Sequence, residues 1–306
     1  MATSYAQAAV RRAGDWESIF TTWAKPPSET EQKRCENAET AVRKAIAASS
    51  KLQNRKIKVF THGSYQHNVN VRKDSDVDVG VVCYDAFYPT YPEGIEAKRF
   101  GHSDATYQYA TFKNEVEEAL VAYFGRSAVK RGNKAFDVHE TKSSVEADVA
   151  AFFEHRRYTS LQAYLSGVVL YPDQGVRIIN WPDQHQANGV RKNDETGRGY
   201  KGSVRILKSL RNEMKDNGNA AAGAVSGFWI ECLTFNVPNN ILRRDTWDQT
   251  VQGALSYLIA NTATEALCSE CVEVSELKYL FRGSPDSKRQ KLHAFVSEAR
   301  RYIGVR

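Results

Sequence analysis

The residues of this chain that are equipped for chemistry are two carboxylates and a glycine–serine pair in one stretch. Asp76 and Asp78 alternate with valines, and Gly63-Ser64 precedes them with eleven residues between. In a strand, residues two apart point to the same face, so both carboxylates project together while the valines point into a core. Neighbouring carboxylates repel each other, and a hard divalent cation such as Mg²⁺ relieves that repulsion. The spacing therefore predicts a metal site on a strand.

Gly63-Ser64 follows an apolar-alternating stretch and predicts a turn at the end of a strand. A small residue in such a turn lets backbone N–H groups approach a phosphate closely. A Gly-Ser pair alone is usually an ordinary turn, and a lone Asp-x-Asp is usually a solvated strand edge. Together, a phosphate-binding turn and metal-binding carboxylates are the equipment of nucleotidyl transfer, which requires a third carboxylate.

Asp148 is the candidate for that third carboxylate. It is a single acid among the apolar residues of a predicted strand, Val145–Phe153. Burying a carboxylate is costly unless it is paired, hydrogen-bonded or metal-bound. Glu146 shares its face by the period of two and competes for the role, and a bond to a neighbouring turn is the structural alternative. We expect this strand to form a hairpin with Lys134–Thr141 through residues 142–144.

The elements that must position these residues are predicted as a mixed α and β region followed by helices. Helical spacing and a capping box at Ser28–Glu31 predict two N-terminal helices, over residues 3–24 and from the capping box to about Leu52. Strands at Ile57–Thr61 and Val77–Cys83 and a helix over Asp104–Phe124 follow. Residues 181–200 are polar and Gly-rich, which predicts a domain boundary. We therefore expect a catalytic core over residues 1–190 and a C-terminal helical substrate-binding domain over residues 191–306.

Composition predicts a soluble, globular protein with a concentrated positive charge. The chain has 306 residues, 25% of them charged, and a formal net charge of +6. Residues 190–215 hold eight Lys or Arg against three acids, a local net charge of +5 that attracts nucleic acid or nucleoside triphosphates. In this region we expect an amphipathic helix, Lys201–Asn217, with Arg205 and Lys208 towards solvent. No apolar run reaches membrane-spanning length, and the N-terminal residues lack a signal-peptide core, so we expect no membrane and a cytoplasmic location.

The order of several motifs resembles a known family. HGSY, DSDVDVGV, EADV, YKGSVRILKSLRNEM and SGFWIECLTFNVPN occur in this succession between Ile57 and Pro238. This succession resembles the bacterial cGAS/DncV-like nucleotidyltransferases of the polymerase-β-like superfamily. The resemblance implies an α+β fold: a polymerase-β-like nucleotidyltransferase core, with a mixed twisted sheet and flanking helices, plus a C-terminal helical bundle, in two lobes.

The resemblance also implies roles for particular residues. The family's metal-binding and catalytic aspartates fall on Asp76, Asp78 and Asp148. Its nucleotide contacts fall on Gly63, Ser64, Lys208 and Ser226, where Lys208 would bind the triphosphate and Lys201 is a less favoured alternative. The family usually has an apolar residue where this chain has His62, and we interpret that histidine as structural.

Enzymes of this family join two or three nucleoside triphosphates into a cyclic di- or trinucleotide. A ribose hydroxyl attacks an α-phosphate with the help of two metal ions, and pyrophosphate leaves. The resemblance therefore implies two Mg²⁺ ions, replaceable by Mn²⁺, with ATP, GTP or other triphosphates as substrates. It also implies anti-phage (CBASS) signalling to a cyclic-nucleotide-gated effector. We expect a monomer, and no nucleic-acid activator because the cysteine–histidine cluster of the animal zinc module is missing.

Two other functions stay open at this point. A nucleotidyltransferase on the same fold can modify a different acceptor, such as an antibiotic, a tRNA end or a protein. A non-catalytic nucleotide-sensing module is the third possibility, although such a module would normally have lost one of the three carboxylates. Products formed without an added acceptor would separate the first two functions. The sequence does not predict the bases used, the linkage or the ring size.

Overall fold

The computed structural model describes residues 13–71, 76–140 and 145–304. These residues form two compact units. One, the helical unit, takes in the described residues of Met1–Pro27, His67–Asp74 and Gln184–Arg306, and the other, the strand unit, those of Ser28–Gln66 and Ser75–Asp183. Each unit has its own hydrophobic core. The expected functional domains, residues 1–190 and 191–306, stay a prediction.

The strand unit is built on a seven-stranded mixed sheet. Its strands are β1 (Ile57–Thr61), β2 (Val77–Thr90), β3 (Val129–Arg131), β4 (Phe136–Glu140), β5 (Val145–Tyr158), β6 (Tyr164–Leu170) and β7 (Ile178–Asn180). The pairing order runs β1-β2-β5-β4-β3, and β6 continues from β5 to β7. Strands β2 and β5 are parallel, and the other pairs are antiparallel. The predicted antiparallel pairing of β4 with β5 is confirmed, and residues 142–144, the predicted connection, lie outside the described residues.

The described residues contain twelve α-helices. They are α1 (Ala13–Trp23), α2 (Glu29–Ala47), α3 (Gly63–Gln66), α4 (Tyr109–Phe124), α5 (Pro182–Glu195), α6 (Gly199–Asp216), α7 (Ala220–Gly223), α8 (Gly227–Phe235), α9 (Asn239–Leu242), α10 (Trp247–Thr262), α11 (Glu265–Cys268) and α12 (Asp286–Tyr302). None of these helices combines the length and the hydropathy needed to cross a bilayer. The predicted mixture of a sheet with helices, followed by helices alone, is confirmed.

Helices α2 and α4 belong to the strand unit, and their apolar faces complete its core. The predicted capping box is present: the Ser28 side chain accepts from the Glu31 N–H, and the Glu31 carboxylate accepts from the Ser28 N–H. Both helices are shorter than expected. Helix α2 ends at Ala47 rather than near Leu52, and α4 begins at Tyr109 rather than Asp104. Of the first predicted helix, residues 3–12 lie outside the described residues.

Residues 181–200, where the sequence predicts a domain boundary, are mostly helical: α5 occupies most of that stretch, and the two compact units divide between Asp183 and Gln184. This helix buries a polar face, which hides it from a search for apolar periodicity. Its His185 and Asn188 are buried, the Asn188 amide donates to the Val274 carbonyl at 2.9 Å, and His185 bonds to Glu231. Hydrogen bonds replace apolar contacts on this side of the helix.

The expectation that Arg205 and Lys208 face solvent is also wrong. On α6 they are 7% and 2% exposed. The Arg205 guanidinium donates to the Ala24 carbonyl at 2.8 Å and to the Asn68 carbonyl at 2.6 Å, and burial lowers its pKa to about 10. Helix α6 is therefore enclosed by other segments of its unit along the side that carries Arg205 and Lys208.

Close packing of α6 against α10 predicts a strict requirement for glycine at position 202. A Cβ atom there would overlap the indole ring of Trp247. We expect Gly202→Ala to lower the free energy of unfolding by about 1–3 kcal/mol, because extra volume in a packed interior forces neighbours apart. Urea denaturation measures this change. The matched control is Gly223→Ala in α7, where no atom lies within 4 Å of the added Cβ. Equal effects of the two substitutions would contradict the overlap.

Candidate active site

Asp78 and Asp148 lie side by side on the two parallel strands at the middle of the sheet. They are register partners in the β2–β5 pairing, one step after Val77 and Ala147. Both carboxylates are half-buried, while Val77 and Val79 are buried on the other face. Register partners on neighbouring strands point to the same face, so the two acids predicted from separate segments share one face of the sheet.

Asp76 is exposed and directly precedes β2. Its negative charge helps to raise the pKa of Asp148. That pKa is raised to about 6, first by burial and then by the charges of Asp76 and Asp137. Both effects disfavour a second or third negative charge at the same place. A divalent cation bound there would remove the repulsion, so these carboxylates fit the metal that the sequence predicts.

Asp137 is an acid of this group that the sequence reasoning missed. It is the register partner of Asp148 on β4, and the two carboxyl groups share a hydrogen bond. Asp148 therefore has Asp78 on one side and Asp137 on the other. The sequence held a signal for Asp137, because this acid stands between two apolar residues of a predicted strand, Phe136 and Val138. The structure buries both apolar side chains, so the alternation places Asp137 on the opposite face.

Glu146, the competitor for the third position, has a different partner. Its carboxylate pairs with the Arg34 guanidinium at 2.8 Å, and its register partner on β4 is His139. A carboxylate already matched to a cation has less need of a metal ion. The charges of the strand unit therefore favour Asp148 over Glu146 as the third ligand.

The Gly63-Ser64 turn lies against Asp78. Gly63 has φ +66°, and a Cβ atom there would overlap the Asp78 carboxylate. The preceding backbone N–H, of His62, donates to the Asp78 carbonyl at 2.9 Å. The His62 ring packs edge-on against Phe152, with centroids 5.6 Å apart. The turn predicted to bind phosphate and one predicted metal ligand are thus neighbours, and Ser64 follows within α3.

Lys208 and Ser226 meet in the helical unit at the first turn of α8. Ser226 is the N-cap of this helix, and its hydroxyl accepts from the Trp229 N–H at 3.2 Å. A Cβ atom built on Gly227 would be 3.4 Å from Lys208 Cε and 3.7 Å from Lys208 Nζ. The two residues carried over from the resemblance are therefore adjacent. Lys201 lies two turns earlier on α6, where burial lowers its pKa.

The helical unit also brings together three side chains that no sequence motif predicted. His67, His185 and Glu231 are all buried, and one potential ligand atom of each lies within 4.8 Å of the others. Their chemistry suits a transition metal, but their geometry does not. The imidazole rings stack with centroids 3.8 Å apart and planes 14° apart. A metal ion lies in the plane of each imidazole that binds it, and two nearly parallel stacked planes do not meet at such a point. We therefore interpret the group as a buried polar cluster, in which His185 bonds to Glu231 and His67 stacks on His185.

Comparison with known proteins decides the family. The model of the cGAS/DncV-like nucleotidyltransferase C-terminal helical domain matches residues 187–304. The cyclic dipyrimidine nucleotide synthase CdnE of Cecembia lonarensis is 42% identical over 268 residues, which cover 87% of this chain and 91% of that protein. This chain is a cGAS/DncV-like nucleotidyltransferase. The family predicted from the sequence motifs is confirmed, and with it the conclusion that the protein is an enzyme.

Other relatives of this nucleotidyltransferase support the same fold. The cyclic dipurine nucleotide synthase of Elizabethkingia meningoseptica is 36% identical over 293 residues, covering 94% of this chain and 98% of that protein. The structure of the Rhodothermus marinus CdnE c-UMP-AMP synthase with Apcpp and Upnpp has a TM-score of 0.80 at 26% identity and covers 94% of this chain and 97% of that one. The predicted α+β nucleotidyltransferase fold with a helical C-terminal part is confirmed.

The overlap at Gly63 predicts a loss of activity on substitution. In Gly63→Ala, the new methyl group must displace the Asp78 carboxylate, and a shift of about 1 Å costs roughly a hundredfold in rate. Pyrophosphate release from nucleoside triphosphates measures the effect. The control is Gly94→Ala, which also replaces a glycine at positive φ (+78°) but meets no atom within 4 Å. Similar losses in both variants would show that backbone strain, and not displacement of Asp78, is responsible.

The raised pKa of Asp148 predicts a pH-dependent gain in stability on its removal. Because the pKa is about 6 in the folded protein and ordinarily 3.8, ionising Asp148 opposes folding. This cost is absent below pH 3.8 and fully present above about pH 6. In EDTA, Asp148→Asn should raise the free energy of unfolding at pH 7.5 by roughly 1–2 kcal/mol, a value discounted for partial exposure, and change it little at pH 4. Denaturation at both pH values, with exposed Asp104→Asn as control, tests this prediction, and destabilisation at pH 7.5 would contradict it.

Proposed function

We propose that this nucleotidyltransferase condenses nucleoside triphosphates into a cyclic dinucleotide or trinucleotide. The observation that carries the proposal is the placement of Asp78 beside Asp148 on adjacent strands, with the charge of Asp76 acting on Asp148. An acid whose ionisation is opposed by burial and by a neighbouring negative charge suits a cationic cofactor. Relatives covering nine-tenths of this chain are named for the synthesis of cyclic nucleotides.

In the proposed reaction, Asp76, Asp78 and Asp148 would hold two Mg²⁺ ions. When bound, these ions would neutralise charge on the triphosphate and lower the pKa of the attacking hydroxyl. The ribose oxygen forms a bond to the α-phosphorus, the bond from that phosphorus to the bridging oxygen breaks, and pyrophosphate leaves. The hydroxyl proton passes to a carboxylate or to solvent. A further attack of the same kind within the linear product closes the ring.

The remaining residues would bind phosphate oxygens. Gly63 and Ser64 would offer backbone N–H groups and a hydroxyl, which suits the small residue and the turn at that point. Lys208 and Ser226 would bind the triphosphate from the first turn of α8. The positive end of a helix favours an anion there, and an ammonium group beside it adds to that preference.

The bases are the part of the product on which relatives differ. One relative is named for pyrimidines, another for purines and a third for one of each. Base choice therefore varies within the family, and we assign it to side chains other than the three carboxylates. An assay of this enzyme must accordingly supply all four triphosphates.

We also propose that the product serves anti-phage (CBASS) signalling, through a cyclic-nucleotide-gated effector, from a cytoplasmic monomer. An activating nucleic acid is not part of this proposal. Several cations of the basic segment are engaged within the helical unit: Arg191 pairs with Glu276 at 3.0 Å, and the Lys192 ammonium donates to the Val237 carbonyl at 2.9 Å. With Arg205 and Lys208 also buried, fewer charges remain for a polyanionic strand than the sequence suggests.

The decisive experiment incubates the pure protein with four labelled triphosphates and Mg²⁺ and no other acceptor. We expect a phosphatase-resistant product whose mass gives the bases and ring size. Asp76→Ala and Asp148→Asn should each reduce its formation by about a hundredfold or more, because they remove groups that stabilise transition-state charge. Exposed Asp104→Asn should retain activity. Pyrophosphate release that begins only after an antibiotic, tRNA or protein acceptor is added would contradict the proposal.

A further inference from the structure

Glu231 is a buried carboxylate whose position in α8 no sequence motif explained. It is 4% exposed, and Lys208, the nearest cation, is 2% exposed. Both belong to the helical unit. A buried carboxylate is expensive unless charges and hydrogen bonds compensate it. The groups around the Glu231 carboxylate therefore indicate the role of its negative charge.

The two oxygens of Glu231 have different partners. Oε1 bonds to His185 Nε2 at 2.8 Å and lies 3.3 Å from His67 Nδ1. Oε2 faces the Lys208 ammonium at 3.7 Å. The pKa of Glu231 is held well below its usual range, by His67, His185 and Lys208 against the effect of burial. One oxygen is thus fixed by imidazoles, and the other is presented to the lysine.

The histidines contact the oxygen of Glu231 that does not face the lysine, His185 through a hydrogen bond and His67 at 3.3 Å. Burial lowers the pKa of His67 against the raising effect of Glu231, and the charge of Lys208 acts in the same direction as burial. An imidazole in either protonation state has at least one N–H to donate. The negative charge of Glu231 is therefore matched to the positive charge of Lys208, and the rings fix where that negative charge lies.

Lys208 keeps hydrogen-bonding capacity that the described residues do not use. Its separation of 3.7 Å from Oε2 is too long for a hydrogen bond, and no other described group accepts from its ammonium. An ammonium group has three donors, so this one has donors left for a further partner. On its other side, Nζ is 3.7 Å from the Cβ position of Gly227, as is the Arg211 guanidinium. The unused donors therefore lie at the first turn of α8, a place suited to phosphate.

We propose that Glu231 is a positioning residue that holds the Lys208 ammonium at the first turn of α8 for the polyphosphate of the substrate. This inference rests on the proposed function, in which Lys208 binds the triphosphate. Glu231 acts through Lys208 and does not touch the nucleotide. Without its charge, the buried ammonium would lose its ionic partner and withdraw, and the donors would no longer be available at α8.

A double-mutant cycle tests this arrangement, with inorganic tripolyphosphate as a base-independent probe and titration calorimetry in EDTA as the measurement. We expect Lys208→Met and Glu231→Gln each to weaken binding by on the order of tenfold, the worth of a charge-assisted hydrogen bond. The double variant should bind no more weakly than Lys208→Met, because Glu231 acts only through the lysine. Glu276→Gln, which removes an exposed acid of the same unit, should change nothing.

Two results would overturn the inference: losses that multiply in the double variant, or unchanged or tighter binding by Glu231→Gln. Circular dichroism and melting identify a variant that fails to fold. If Glu231→Gln fails, Glu231→Asp carries the test, since it keeps the charge but withdraws it from Lys208 and should weaken binding by an intermediate factor. In turnover, Glu231→Gln should raise KM for triphosphates as Lys208→Met does, with a smaller effect on kcat.

The inference and the proposed function fail in different ways. Pyrophosphate release by the unmodified protein supports nucleotidyl transfer whatever Glu231 does. Unchanged tripolyphosphate binding by Lys208→Met would remove the lysine contact, and the inference with it, while leaving that enzymatic activity standing. A coupled loss of binding in a protein that releases no pyrophosphate would support the inference and contradict the proposed reaction.

Discussion

Repulsion between carboxylates on neighbouring strands is the constraint on which the strand unit depends. Parallel pairing of β2 with β5 sets Asp78 beside Asp148, and β4 adds Asp137 on the other side. The buried valines on the opposite face fix this register, since a slip of one residue would exchange the two faces. The core thus holds together a group of acids that would otherwise separate. The fold holds this unfavourable arrangement, which a bound cation would make favourable.

The helical unit handles charge in the opposite sense. It buries two cations of α6 together with their partners, Arg205 with backbone carbonyls and Lys208 with the buried carboxylate of Glu231. The first arrangement engages all three nitrogens of the guanidinium, whereas the second leaves donors of the ammonium unused. Two buried cations on one helix therefore have different purposes, one structural and the other suited to an anion.

The sequence predicted those parts of the enzyme that follow a local period or a local motif. Two features could be predicted because each depends on neighbours in the chain: the alternation around Asp78 and Asp148, and the capping box at Ser28. Helix α5 was missed because hydrogen bonds to Val274 and Glu231 replace its apolar stripe. The Glu231 network was missed for a related reason: its members come from three distant segments. Polar contacts between residues that are far apart in the sequence produce no periodic pattern in it.

The path of the chain through the helical unit limits where this protein can be cut into fragments or recombined with relatives. The family match begins at residue 187, yet the core of the helical unit includes Trp16, Phe20 and Val69, which are at most 2% exposed. Arg205 further depends on carbonyls at Ala24 and Asn68. A fragment cut at the start of α5 would lack these side chains and acceptors. The helical unit therefore cannot be separated from the rest of the chain at that point. Recombination that exchanges the C-terminal half between relatives must also preserve the N-terminal segments that contribute to this core.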